Sequence, residues 1–194
     1  MSYKVKEVYY TIQGEGYHTG RPAVFCRFAG CNLWTGLEKD RENAICDFCD
    51  TEFVGTEGNG GGVFDSAKAL ADHILNQWPA DAFSKPYVVC TGGEPLLQMD
   101  QALVDAFHKN KIEVAIETNG TVLPPKNIDW ICVSPKIGAD LVLQIGHELK
   151  FVYPQKHANP EQFKDMNFDH FSLQPMDGPK LKQNTAKTLD YCRL

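Results

Sequence analysis

Six stretches of this sequence read as short strands, and each ends in a cluster of polar, glycine or proline residues. The apolar run 23–29 ends at Cys31, 87–90 at Thr91-Gly92-Gly93-Glu94-Pro95, and 113–116 at Glu117-Thr118-Asn119-Gly120. Residues 130–133 end at Ser134-Pro135-Lys136, 149–153 at Pro154, and 171–173 at Gln174-Pro175-Met176. Strands alternating with helix-period stretches form parallel βαβ units. Parallel barrels build their sites at the carboxyl ends of the strands. Six strands are too few to close an eight-stranded barrel. The expected fold is therefore α/β, an open or partial parallel β/α barrel of about six strands, with these clusters on one rim.

The helices fit between those strands. Ala67, Leu70, Ala71, Ile74 and Trp78 recur at helical period, with Asp65 or Ser66 as cap and Pro79 as stop. Asp100 caps a second helix running to about Asn110, with Leu103, Ala106 and Phe107 inward. A short helix is expected over 160–166 and a last one over 184–193. Ahead of the parallel strands, residues 4–12 alternate and are rich in Val and Tyr, which predicts a further strand. The turn Gln13-Gly14-Glu15-Gly16 follows it. The glycine-rich run 55–62 lacks the Lys-Ser or Lys-Thr pair of a phosphate loop and reads as a mobile surface loop.

A chain of 194 residues can bury the core of one domain, taken as residues 1–194 with a loop at about 30–63. A net charge of −6 gives no signature of nucleic-acid binding. No long apolar run provides a membrane span, and residues 1–7 lack the apolar core of a signal peptide. Seven cysteines, an odd number, argue against a disulfide framework and for reduced thiols in a cytoplasmic protein.

Three of those cysteines, Cys31, Cys46 and Cys49, stand at C-x14-C-x2-C spacing directly after the first parallel strand. No fourth Cys or His lies at a matching distance. Closed metal centres take four ligands, so three leave one position open. On a four-iron cluster, one iron is then free to bind something other than protein. The alternative is a zinc-binding interaction module without catalysis, its fourth ligand a distant residue such as Cys26 or Cys90. Both of those lie in apolar strands, where Cys usually serves as a small core residue. Arg27 is a second anomaly. An arginine in a buried strand is costly unless paired, so it is expected to face an anion or a site.

With Phe48 ahead of the last cysteine and Gly92-Gly93-Glu94-Pro95 at the next strand end, the cysteine group resembles the radical S-adenosylmethionine (SAM) superfamily. Most members space the cysteines C-x3-C-x2-C, and the longer first gap belongs to a narrower group. Ile12-Gln13-Gly14-Glu15-Gly16, Arg27, Cys49-Asp50-Thr51, Glu117-Thr118-Asn119-Gly120 and Ser134-Pro135-Lys136 make the chain similar to the 7-carboxy-7-deazaguanine synthase family. The likeness runs from about Tyr9 to about Leu181.

The resemblance implies a 4Fe-4S cluster on Cys31, Cys46 and Cys49, with SAM on the open iron. It implies that Gly93 and Glu94 meet the SAM ammonium, and that Ser134, Pro135 and Lys136 bind its ribose and carboxylate. Phe48 is implied at the adenine edge, with Gln174, Pro175 and Met176 finishing that pocket. It further implies Mg2+ on Thr51, with Asp50 holding water or SAM. The implied substrate is 6-carboxy-5,6,7,8-tetrahydropterin. Ile12, Gln13, Gly14, Glu15 and Thr91 would meet its edges, and the planar fork of Arg27 its carboxylate. An electron donor such as flavodoxin and a homodimer are implied as partners. Family members carry a further segment with a histidine, whereas this sequence stops at Tyr191-Cys192-Arg193-Leu194, so those substrate contacts do not carry over. Another radical SAM enzyme, such as a glycyl-radical activase, would share the cysteines and Gly-Gly-Glu without needing residues 13–16 or Arg27.

Overall fold

The computed structural model describes residues 2–193. Its strands are β1 (Tyr3–Ile12), β2 (Pro22–Phe28), β3 (Gly62–Phe64), β4 (Tyr87–Gly92), β5 (Glu113–Thr118), β6 (Trp130–Val133), β7 (Ile145–Tyr153) and β8 (Asn167–Pro175). They make one sheet in the order β3-β1-β2-β4-β5-β6-β7-β8. The run from β2 to β8 is parallel throughout, the six-stranded partial barrel expected from the sequence. β1 and β3 extend it antiparallel on the β2 side. Residues from β1 through β8 line one cavity, so the sheet curls around it.

Side chains alternate across a strand, and the two faces differ in chemistry. Outward residues such as Val88, Cys90, Val114 and Ile116 are fully buried. They lie in the main core with the inner faces of α1 (Ala67–Leu75) and α2 (Gln101–Lys109). Inward residues include Arg27, Thr91, Glu117, Lys150 and Gln174, all lining the cavity. Ser66 Oγ caps α1 by accepting from Ala69 N (3.2 Å), and Asp100 Oδ1 caps α2 by accepting from Leu103 N (2.9 Å). α3 (Leu181–Cys192) lies against β8, where Asn184 Nδ2 donates to Met176 O (2.9 Å).

Three expectations need correction. The glycine-rich run is strapped to β1 rather than mobile. Gly58 N donates to Lys6 O (2.9 Å), and Val8 N donates to Asn59 O (2.8 Å). A Cβ on Gly58, Gly60 or Gly61 would strike the β1 carbonyls, so glycine is needed for the close approach. The run then ends as β3. Second, the helix expected over 160–166 is a single 3₁₀ turn, Pro160–Phe163, and the crossovers between β5, β6 and β7 contain no helix. Third, β8 continues through Gln174 and Pro175, so two residues of its terminal cluster belong to the strand itself.

The connection between β1 and β2 enters the barrel from the end opposite the rim. Gln13 N donates to Arg21 O and Gly20 N to Gln13 O, both at 2.8 Å, closing the base of the loop. Arg21 forks onto Glu113 (2.8 and 2.6 Å) and covers the Tyr87 ring at 3.6 Å. Tyr17 and His18 pack on Trp130. Tyr17 N donates to the buried Glu148 carboxylate (3.2 Å), which also accepts from Ser172 Oγ (2.6 Å). Gly16 has φ +69° and lies so close to Glu148 that a Cβ would collide with it. The loop is thus a plug whose upper side presents Gln13, Gly14 and Glu15 to the cavity.

Candidate active site

The cavity at the rim measures about 770 Å³. All the residues singled out from the sequence line it except Ile12, Glu94 and Pro135. Ile12 is 60 % exposed at the end of β1 and only leads into the plug. Pro135 is buried behind the rim, its carbonyl accepting from Gln155 Nε2 at 3.1 Å. Glu94, two residues beyond β4, is wholly buried beside the segment that leads to Cys31. Its Oε1 accepts from Thr118 Oγ1 (2.7 Å) and Leu96 N (3.0 Å), and its Oε2 from Asn119 N (2.7 Å). Burial pushes its carboxyl above the ordinary range, partly offset by those donors.

Cys31 emerges directly beyond β2, and the loop that follows returns Cys46 and Cys49 to the same cavity. Cys46 and Cys49 are close enough to share a proton, which lowers the Cys49 pKa and raises that of Cys46. Burial raises Cys31. Cys26 and Cys90 are buried in the sheet and Cys192 is exposed on α3, so none supplies a fourth thiol here. Among the described residues, no group of three or more His, Cys, Asp or Glu side chains is placed to hold a single metal ion. A zinc centre draws its donors to 2.0–2.3 Å of one point. The zinc-module reading therefore lacks its ligand set. Three thiols lining one cavity, with no fourth thiol beside them among the described residues, suit a polynuclear cluster with one position left open.

On the other strands lies a charged network. Lys150 is 5 % exposed, and its Nζ donates to Glu15 Oε2 (2.8 Å) and Glu117 Oε1 (3.0 Å). Gln13 Nε2 also donates to Glu117 Oε1 (2.9 Å), tying the plug to β5. Burial disfavours the Lys150 ammonium, but the two carboxylates outweigh it and keep the group firmly protonated. Lys136 Nζ donates to Ser134 O (2.6 Å) and Ser134 Oγ (2.7 Å), and burial lowers its pKa. Arg27 is paired as well: its Nε donates to Glu7 Oε1 at 2.7 Å. A register shift between Val5 and Glu7 sets Glu7 opposite Arg27.

Glu117 and Lys150 were not singled out as site residues, although both line the cavity. Lys150 carried a detectable signal, since it interrupts an apolar strand as Arg27 does. Gln155 carried none. Its amide donates to the Pro135 and Val152 carbonyls and accepts from Ile137 N, fixing the Ser134–Lys136 turn from a distant loop.

A partial parallel barrel with three cavity-facing thiols at its rim and a polar inner wall defines an enzyme of the cluster-dependent radical type. No family model matches the chain. Individual relatives do. It is 60 % identical to 7-carboxy-7-deazaguanine synthase of Bradyrhizobium diazoefficiens over 99 % of this chain and 91 % of that protein. It is 59 % identical to the Bordetella pertussis synthase, over 99 % and 91 %, and 54 % identical to that of Burkholderia multivorans, over 100 % and 91 %. A crystal structure of QueE from Escherichia coli superimposes with a TM-score of 0.71 at 25 % identity, covering 100 % of this chain and 90 % of that one. The chain belongs to the 7-carboxy-7-deazaguanine synthase family.

Proposed function

We propose that this chain is a radical SAM carbon–nitrogen lyase that converts 6-carboxy-5,6,7,8-tetrahydropterin to 7-carboxy-7-deazaguanine with loss of ammonia, a step toward 7-deazapurines such as queuosine. The observation that carries the proposal is one cavity lined both by Cys31, Cys46 and Cys49 and by Arg27, Glu117 and Lys150. The family membership supports it. Residues 1–194 act as one domain in the cytoplasm, with the cluster loop at about 30–63, an electron donor such as flavodoxin, and a homodimer as the working state. No helix among the described residues is long and apolar enough to cross a membrane.

The three thiolates would hold a 4Fe-4S cluster. Phe48, Asp50, Gly93, Ser134, Lys136 and the Gln174-Pro175-Met176 segment would hold SAM. The Thr51 hydroxyl is a hard oxygen donor suited to Mg2+. When bound, cluster and SAM supply the one-electron chemistry that starts the ring contraction. The chain's own residues orient and shield. A pterin presents adjacent donors and acceptors along its ring edges and one carboxylate. Gln13, Gly14, Glu15 and Thr91 face the former, with Glu117 held in place by Gln13 and Lys150. The Arg27 fork has its Nε engaged by Glu7 and its Nη2 by Tyr9 Oη (3.4 Å), which leaves Nη1 free of partners among the described residues to meet the carboxylate. Lys150 Nζ keeps its proton and stays a donor throughout.

The test is anaerobic. Protein reconstituted with iron and sulfide, reduced, and given SAM, Mg2+ and carboxytetrahydropterin is expected to release the deazaguanine, detected by mass spectrometry. A loaded, reduced cluster that yields neither product nor 5′-deoxyadenosine would overturn the proposal. Arg27→Ala is expected to raise KM for the pterin about tenfold or more, the scale of a lost charge-assisted hydrogen bond. SAM cleavage without substrate should be unchanged, and its equal loss would remove Arg27 from substrate binding.

A further inference from the structure

The gap between Cys31 and Cys46 poses a mechanical problem. The 3₁₀ turn Glu38–Asn43 in that gap buries none of its residues, so no apolar packing holds it. The backbone tie between the two limbs of the loop is long, Cys46 N to Leu33 O at 3.4 Å. Within the Cys31–Cys49 loop, a charged side chain bridges both limbs. The Arg41 guanidinium lies over the Trp34 ring at 4.0 Å, and Trp34 is three residues beyond Cys31. Trp34 itself is 7 % exposed, set edge-on against Phe53 with its Nε1 donating to Leu37 O. From there Arg41 Nη1 donates to Asp47 O (3.0 Å) and Cys49 O (2.9 Å), the carbonyls of the Cys46–Cys49 turn. Its Nε and Nη2 fork onto Glu38 (2.8 and 2.6 Å), which fixes the plane of the guanidinium.

We propose that Arg41 is the positioning residue that latches the Cys46–Cys49 limb to the Cys31 limb, and so governs how firmly the chain retains an iron–sulfur cluster and at what potential it is reduced. The proposal rests on the reading of the three thiols as cluster ligands. The physical basis is geometric. A planar fork can lie flat on the indole, bond two carbonyls through one nitrogen and pair bidentately with Glu38 through the others, a set of contacts that the three donors of a compact ammonium do not reproduce. The charge adds a second effect. The cation faces the cysteine turn, whereas its counter-ion Glu38 is 76 % exposed on the outer side. Lys136 is the other cation near these thiols. A cation beside a cluster favours its more negative, reduced form.

Arg41→Lys and Arg41→Met separate the two effects. In the full chain, anaerobically reconstituted, three quantities are read: iron and sulfide per chain, the rate of iron release to a chelator, and the midpoint potential by redox titration. Both variants are expected to release iron about tenfold faster than wild type, the usual scale for losing a partner that holds a metal ligand in place. The Met variant should also show a lower midpoint potential, while the Lys variant stays near wild type. The turn buries nothing, so the urea midpoint of the cluster-free protein is expected to hold in both. Wild-type release rates in both variants would overturn the latch. Full rescue by lysine would overturn the fork and leave only the charge. A wild-type chain that takes up no iron and sulfide would overturn the site reading and this inference together, a result distinct from the other two.

Discussion

Gly93→Ala should unfold the chain at markedly lower urea and strip it of iron, although it adds one methyl group. Gly93 follows β4 directly, where the backbone runs against the segment just before Cys31. Gly93 N donates to Phe28 O (3.2 Å) and Glu94 N to Gly30 O (2.9 Å). A Cβ at Gly93 would overlap the Gly30 carbonyl and sit 2.7 Å from Cys31 Cβ. Neither neighbour is the free end of a side chain. Relief requires the two segments to separate, which breaks those hydrogen bonds and displaces the first cluster cysteine. Overpacking of this kind costs about 1–3 kcal/mol, and each lost hydrogen bond about 1 more. The sum, about 3–5 kcal/mol, is a large part of the ~5–15 kcal/mol that holds a domain together. Urea unfolding of the cluster-free protein measures the first effect, and iron content after reconstitution the second. Wild-type values for both would mean that β4 and the Cys31 segment are not in backbone contact. From sequence, Gly93 is a residue that meets SAM; the structure adds that its missing side chain makes way for the Gly30–Cys31 backbone.

That difference shows where sequence reasoning reached and where it stopped. The six parallel strands were legible because each is short, apolar and ended by a polar cluster. The rim follows from parallel pairing alone. The helix caps Ser66 and Asp100 were legible because capping is a local matter of one side chain and one turn. Arg27 stood out as a charge within an apolar strand, and Lys150 sends the same signal from the strand that contains Leu149 and Phe151. What sequence could not give was partnership across the barrel. Nothing near Gly16 announces Glu148, 132 residues away, as the group that a side chain there would strike. Nothing near Pro135 announces Gln155. The glycine-rich run misled for a related reason. Its composition fits a flexible loop, but those glycines are there because β1 lies against them.

The plug sharpens the point about function. A partial barrel has no closed bottom, and here the β1–β2 connection fills it. Tyr17 and His18 anchor the loop below, Glu148 holds its middle, and Gln13 and Glu15 reach Glu117 and Lys150 above. Residues that read as one substrate-binding loop are therefore also the structural floor. Substitutions in 13–18 should disturb substrate binding and stability together, unlike Arg27→Ala, which acts at the upper wall.

Glu94→Gln tests a comparable double reading and should weaken the protein before any ligand is added. The carboxylate is fully buried and meets three donors: Leu96 N, Thr118 Oγ1 and Asn119 N. A glutamine is the same size, but its amide NH2 must face at least one of those N–H groups. A donor left facing a donor in a buried site costs about 1–3 kcal/mol. The loss should appear as a lower urea midpoint in protein without SAM or cluster. It should also loosen the Thr118–Asn119 turn, seen as faster amide exchange there. The pH dependence gives an independent check. Burial holds the Glu94 pKa above its unfolded value, so folding favours the proton. The stabilisation from that proton is present below the unfolded pKa and is lost as pH rises through the folded one. Glutamine has no such term, so the stability gap between wild type and variant should widen as pH falls through this window. An unchanged urea midpoint with weakened SAM binding would show instead that the carboxylate turns into the cavity to the SAM ammonium, and that its three buried contacts are dispensable.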